Sequence, residues 1–227
     1  MFQLDRLVYV TSQPEEVHKY LTAERGYSLV ATGASFPGVA TRIYPFTGGG
    51  FLEVAYIENE ELVTQTEGGQ ALKTYLEEHG DGFHTFVLET DELDRVSSTL
   101  QAEGYPVQET PVQHIVDPTG ETVSFRMVGS FGHLPWFIQY DKRRPSPIGF
   151  PHAAIIRTTT LTADVALIEK LVQSPATVIN YPNTHAAIIP LTNASLRIES
   201  GDEYGFGYLE PKGLLLENIK ESTTPTE

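Results

Sequence analysis

"GFHTFVLETDELDRVSSTLQAEGY" (residues 82–105) reads as strand, turn, helix and stop. "HTFVLET" is rich in the β-branched and aromatic residues that strands favour. Asp91 stands where an N-cap belongs, Leu93, Val96 and Leu100 recur at helical spacing, and Gly104 closes the helix. An earlier stretch, "LDRLVYVTSQPEEVHKYLTAERGY" (4–27), has the same layout. Arg6 lies 20 residues before Gly26, as His84 lies 20 before Gly104. There Ser12, Pro14 and two glutamates predict a helix start, and Val17, Tyr20 and Leu21 form its apolar stripe.

Working outward, the first phrase continues into "YSLVATG", "VATRIYPF" and "GFLEVAYIE", three strands parted by Gly and Pro turns. The second continues into "YPVQET", "HIVDPTGETVSFRMV" and "LPWFIQYD", with "DPTG" as a turn. Each unit reads β-α-β-β-β. "TGGGF" (47–51) lacks the lysine and following helix of a phosphate loop and reads as a hairpin turn. Between the units, "ENEELVTQTEGGQALKTYLEEHGDG" predicts one or two connecting helices with Leu72, Tyr75 and Leu76 as the buried stripe. "KRRPSPIGFP" (142–151) is a Pro-rich join. A third phrase follows, "HAAIIRT" as strand, "LTADVALIEKLVQS" as helix, then three short strands and a glycine-spaced hairpin over 201–219. Repetition is the strongest signal, because one such unit cannot cover its own sheet.

The expected organisation is a paired domain over 1–141, with modules about 1–58 and 82–141 and a helical connector at 59–81. A linker at 142–151, a third module at 152–219 and a disordered tail at 220–227 complete it. At 227 residues the chain buries a sizeable core. Fifteen basic against 30 acidic residues leave a net charge of −15, which repels phosphate backbones and anionic lipids. Without cysteine there is no disulfide, thiolate metal site or cysteine nucleophile. "MFQLDRLVYV" runs straight into a strand, with no basic and apolar leader and no membrane-length apolar run later, so a cytoplasmic location is expected.

"LDRLVYVT" followed by a helix and "GFLEV", then "GFHTFVLETDEL" and "LPWFIQYD", resemble the glyoxalase-like branch of the vicinal oxygen chelate superfamily over most of residues 4–141. The resemblance implies an α+β fold in which paired βαβββ modules form cupped mixed sheets, here with a third, partial module at the C-terminus. It also implies a ligand cup fed by the first and last strands of each module. Mapped by motif, the cup positions are Arg6, Glu53, His84 and Gln139.

Members of that superfamily commonly hold a divalent metal at such positions, which for this chain implies Fe, Mn, Ni or Zn on Glu53 and His84, with Gln139 assisting. Two departures bear on this. Arg6 cannot ligate a cation, and Gln139 is a neutral, poorer ligand than a carboxylate. Glu53 lies in an apolar strand and needs a partner, for which Arg6 is the natural candidate.

Three functions remain open. One is a metal-dependent lyase, isomerase or dioxygenase using Glu53 and His84. Another is a metal-free cup that takes an anionic or vicinal-oxygen small molecule. There Arg6 and Gln139 bind substrate, Trp136 forms the wall, and Glu53 serves as catalytic acceptor or base. The third is a structural or interaction protein with a buried polar network. His152, His114 and His133 border strands and are read as structural, and a homodimer is one of the assemblies left open.

Overall fold

The computed structural model describes residues 1–116, 120–130, 134–142, 152–181 and 184–216. His133, the join from 143 to 151 and the C-terminal tail lie outside the described residues. The first unit comprises β1 (Phe2–Val10), α1 (Pro14–Lys19) running into a π-helical turn (Tyr20–Glu24), β2 (Ala31–Phe36), β3 (Val39–Pro45) and β4 (Phe51–Ile57). The connector forms α2 (Glu60–Val63) and α3 (Glu67–His79). In the second unit, β5 (Gly82–Thr90) and α4 (Leu93–Ala102) lead to β6 (Gln108–Glu109), β7 (Gln113–Val116), β8 (Thr122–Gly129) and β9 (Trp136–Tyr140). The third holds β10 (Ala153–Thr158), α5 (Leu161–Val172), β11 (Thr177–Tyr181), β12 (Thr184–Pro190) and β13 (Ser195–Ser200). The hairpin β14 (Gly205–Glu210) and β15 (Gly213–Leu214) ends it.

These elements make an α+β fold of two curled mixed sheets. The first runs β2-β3-β4-β1-β5-β9-β8-β6, with β7 also on β8. Strand β1 pairs parallel with β4 and antiparallel with β5, and β5 pairs parallel with β9, so the two units meet back to back at the β1–β5 seam. The second sheet runs β11-β12-β13-β10-β14-β15. It repeats the rule, since β10 lies parallel to β13 and antiparallel to β14. Strand β14 therefore takes the place against β10 that β5 takes against β1 in the first sheet.

The helices start differently from the sequence reading. Neither Ser12 nor Asp91 is an N-cap: Gln13 and Glu92 hold those positions, without a side-chain cap. A threonine at the end of each unit's first strand does the turning instead. Thr11, Thr90 and Thr158 each accept from the backbone N–H two residues on, at 2.8, 3.1 and 3.0 Å. Local hydroxyl-to-backbone bonds of this kind set a tight turn before a helix. Ser12 donates to Asp81 from its backbone N–H and its hydroxyl, and Asp91 meets the chain's own N-terminus.

One face of the first sheet and the inner face of the second share a single core. Phe2, Leu4, Leu7 and Tyr9 of β1 pack there with Val17 and Leu21 of the first helical segment, Leu93 and Val96 of α4, and Ala154 and Ile156 of β10. The other face of the first sheet is covered in part by the connector. Val8 and Val10 of β1 with Ala55 and Ile57 of β4 cluster with Val63 of α2 and with Leu72, Tyr75 and Leu76 of α3. The stripe of α3 is the one read from the sequence; what it covers is the cup face of the first unit. Among the described residues, no helix is long and apolar enough to cross a membrane.

Candidate functional site

Strand β1 carries the centre of the site on a bulge. Between Leu4, opposite Leu88, and Leu7, opposite Phe86, two residues face a single partner on β5, Val87. An extra residue of this kind bends the strand and re-aims side chains, and here Asp5 and Arg6 both reach the cup face. Gly50 makes the bulge fit. It has φ +75°, and a Cβ there would lie 2.7 Å from the backbone oxygens of Leu4 and Asp5. The last glycine of "TGGGF" thus lets the hairpin lie against the bulge.

A hydrogen-bonded row crosses the cup face from the second unit to the first. The Tyr140 hydroxyl donates to Asp5 Oδ1 at 3.0 Å. Arg6 donates from Nε to Asp5 Oδ2 at 2.9 Å and from Nη1 to Glu53 Oε2 at 3.1 Å. The Ser35 hydroxyl, brought in by a bulge on β2 between Ala34 and Phe36, donates to Glu53 Oε1. The guanidinium also lies over the Phe51 ring, 5.1 Å from its centroid. Asp5 and Glu53 are buried, while the Arg6 side chain keeps 19 % of its surface exposed. Burial alone would lower the Arg6 pKa, but Asp5 and Glu53 overcome it and hold the group above its ordinary value. Arg6 Nη2 has no hydrogen-bond partner among the described residues. Two carboxylates face one guanidinium, so the row favours an oxygen ligand with little charge of its own over a multiply charged anion.

Beside this row stands an apolar wall. Trp136, Ile138 and Tyr140 of β9 share a cluster with Val87 of β5 and with Phe125 and Met127 of β8. Trp136 fits because β8 ends in glycine: a Cβ on Gly129 would lie 2.4 Å from the indole. Trp136 thus lies on the cup face.

Gln139 does not. On β9 it alternates with Ile138 and Tyr140 and so points to the opposite face. Its amide nitrogen donates to the Asp91 carbonyl at 3.0 Å, and its oxygen accepts from Arg126 Nη2 at 2.9 Å. Mapping "FIQYD" by motif set this strand one residue out of register with the cup. His84 departs differently. It occupies a second bulge, between the Val8–Thr85 and Tyr9–Phe83 pairs, and so leaves the face that Phe86 and Leu88 share in the core. Its ring meets Tyr75 of α3 edge-on at 4.7 Å, and its Nδ1 is buried without a partner among the described residues. His114 bonds Ser124 on an exposed surface, and His152 is buried and stacks on Tyr208.

The residues present do not fit the divalent metal that the family resemblance implied. Both Glu53 oxygens are engaged, Arg6 supplies a cation where a ligand would stand, Gln139 lies across the sheet, and His84 is under α3. Among the described residues, no three His, Asp or Glu side chains come together as a metal group.

His84 gives a pH prediction. Burial, and then the charge of His79, holds its pKa below the ordinary value. The unfolded chain takes up a proton near pH 6.5, which the folded ring resists. Below that point the unfolded state binds more protons, so stability falls as pH falls through the window and levels off below the folded pKa. His84→Phe removes this contribution. Between about pH 7.5 and about pH 5.5 its melting temperature should fall less than that of the wild type, by differential scanning calorimetry. Superimposable profiles would mean that the folded ring titrates as freely as the unfolded one.

One positioning residue gave no sequence signal. Asn193, in the turn between β12 and β13, accepts from the Leu4 N–H through Oδ1 and donates to the Leu4 carbonyl through Nδ2, both at 2.8 Å. The neighbouring Thr192 N–H donates to the Phe2 carbonyl at 2.9 Å. The third unit thereby grips β1 immediately before the bulge that presents Asp5 and Arg6. No pattern in "LTNAS" announces a partner 189 positions away.

Comparison with known proteins agrees with this architecture. A family model described as a glyoxalase-like domain matches residues 4–177, which takes in the first two units and the start of the third. Of solved structures, a hypothetical protein from Staphylococcus aureus superposes with a TM-score of 0.66 at 14% identity, over 94% of this chain and 93% of that one. A mutant 4-hydroxymandelate synthase from Streptomyces coelicolor gives 0.61 at 13% identity, over 88% of this chain and 63% of that one. At such identities the likeness is one of fold. A search of curated proteins finds none that matches. By its family match and by two βαβββ units joined at their first strands, the chain belongs to the glyoxalase-like domain family of the vicinal oxygen chelate superfamily.

Proposed function

We propose that this chain binds one small molecule on the cup face through a carbonyl, carboxylate or pair of neighbouring oxygens presented to Arg6. The fixed guanidinium carries this reading. Two carboxylates and a ring hold it in place, and Nη2 remains to donate. A donor group oriented in advance loses little entropy on binding and selects ligand geometry. Trp136 and its neighbours give the apolar body of the ligand a wall. Glu53 is the acceptor or base of the site, its carboxylate held at the cup face by Arg6 and Ser35. The paired carboxylates favour a neutral or singly charged ligand, such as a 2-oxo acid or a catechol.

Isothermal titration with a 2-oxo acid and a catechol tests this. Arg6→Lys keeps the charge but loses the planar fork, and should weaken binding at least about tenfold. Equal affinity in that variant would remove Arg6 from the site. Unchanged binding in Glu53→Gln would remove Glu53 as acceptor or base.

A further inference from the structure

The second sheet has an outer face whose charges reverse those of the cup. Ala154 and Ile156 of β10, Leu196 and Ile198 of β13, and Tyr208 of β14 turn into the shared core. Alternation turns Ile155, Arg157, Arg197 and Glu199 to the opposite face. Thr158 leads the chain into α5 as Thr11 leads it into α1. Three residues before each threonine, Ile155 therefore stands where Val8 stands in the first unit. Val8 faces Glu53 across its parallel pair, and Ile155 faces Arg197 across the equivalent one. The strand position that carries the carboxylate of the cup thus carries a guanidinium in the second sheet.

Two arginines share one carboxylate on this face. Arg157 donates from Nε to Glu199 Oε1 at 3.2 Å, and Arg197 Nε stands 2.9 Å from Glu199 Oε2. The second contact is an ion pair without hydrogen-bond geometry. Arg197 Nε is buried and has no hydrogen-bond partner among the described residues, and such groups call for an explanation. The Nη groups of both arginines also lack a partner among the described residues. The two side chains are 40 % and 33 % exposed, so solvent reaches them. Asp202 and Glu203, in the turn after β13, form no ion pair with either among the described residues. Two guanidinium groups on one carboxylate leave one positive charge in excess. Screening over about 8–10 Å shields that excess from the distant acidic groups of a chain at −15. Beside the cluster, β14 raises no side chain. Gly205 lies opposite Arg157 and Gly207 opposite Ile155, and a Cβ on Gly205 would meet nothing within 4 Å.

We propose that Arg157 and Arg197 form a second binding site, for the phosphate group of a small phosphate monoester. Guanidinium forks pair with phosphate oxygens two at a time, and a phosphate offers three strong acceptor oxygens where a carboxylate offers two. Glu199 holds both arginines at Nε and leaves their Nη groups to the ligand. The bare glycines of β14 give the organic part of the ligand space beside Arg157. On the cup face two carboxylates hold one arginine, which disfavours such an anion there. The site is independent of the cup reading and does not fall with it.

Phenyl phosphate is the probe, with benzoate as the singly charged comparison. In a ¹H–¹⁵N titration of the full chain, without phosphate in the buffer, phenyl phosphate should bind saturably and shift the amides of Glu199, Gly205 and Gly207. Benzoate should bind at least about tenfold more weakly, and Arg157→Gln and Arg197→Gln should each weaken phenyl phosphate by a similar factor. Both side chains are partly exposed, so these variants should keep the circular dichroism spectrum of the wild type. Lys73→Gln removes one positive charge from the connector instead and should leave the affinity unchanged. No saturable binding at millimolar phenyl phosphate, or full affinity in either arginine variant, would overturn the proposal. An equal loss in Lys73→Gln would overturn it too, by reducing the binding to net charge. Shifts gathered on Phe51, Glu53 and Trp136 would do the same, by placing the anion in the cup.

Discussion

Arg6→Met should lower the free energy of unfolding by about 3–5 kcal/mol at neutral pH, more than any other single substitution on the cup face. The side chains are similar in length, so packing is nearly kept and the loss is electrostatic. Asp5 and Glu53 are 7 % and 6 % exposed, and each takes its cation from Arg6. Without it two carboxylates are stranded in a poorly solvated strand interior, where a carboxylate is relieved by taking up a proton. The deficit should therefore shrink as pH is lowered toward about 5, opposite to the acid destabilisation set by His84 in the wild type. Urea unfolding at two pH values reads this directly. Adding Glu53→Gln should recover part of the loss, because one stranded charge is gone. A smaller effect of Arg6→Met alone, independent of pH, would show that the row contributes little and that solvent reaches both carboxylates.

Asn193→Leu should cost about 2–5 kcal/mol, although the residue lies in the second sheet and touches none of the side chains of the cup row. The substitution keeps volume but strands the N–H and C=O of Leu4, which is 1 % exposed. Each unsatisfied buried backbone group costs about 1–3 kcal/mol. The more telling consequence lies at the bulge. With Leu4 released, Asp5 and Arg6 lose the fixed backbone that aims them, and cup ligands should bind more weakly in step with the stability loss. Thr192→Val is the control. It removes the hydroxyl bond to Phe2 but keeps the backbone bond, so it should leave the cup unaffected. Full cup affinity in Asn193→Leu would mean that the bulge is set within the first sheet alone.

The sequence by itself determined the repeat, because strand and helix periodicities are local and recur at matching intervals before Gly26 and Gly104. It determined the buried stripe of α3 from helical spacing, and the Arg6–Glu53 pair because a carboxylate in an apolar strand needs a cation. Tertiary structure decided the rest. Whether a residue on a strand faces the cup depends on register, and one unpaired residue reverses every face beyond it. The bulges at Asp5–Arg6 and His84 exist only because particular partners lie opposite them, and no spacing within the chain records them. Gln139 fell to the far side because β9, paired without a bulge, turns Ile138 and Tyr140 to the cup by simple alternation, and motif order could not reveal it. The connector and the third unit follow the same logic. The sequence marked α3 as present but not Asn193, and only folding chose what the two would hold: the face of the cup and the backbone of Leu4.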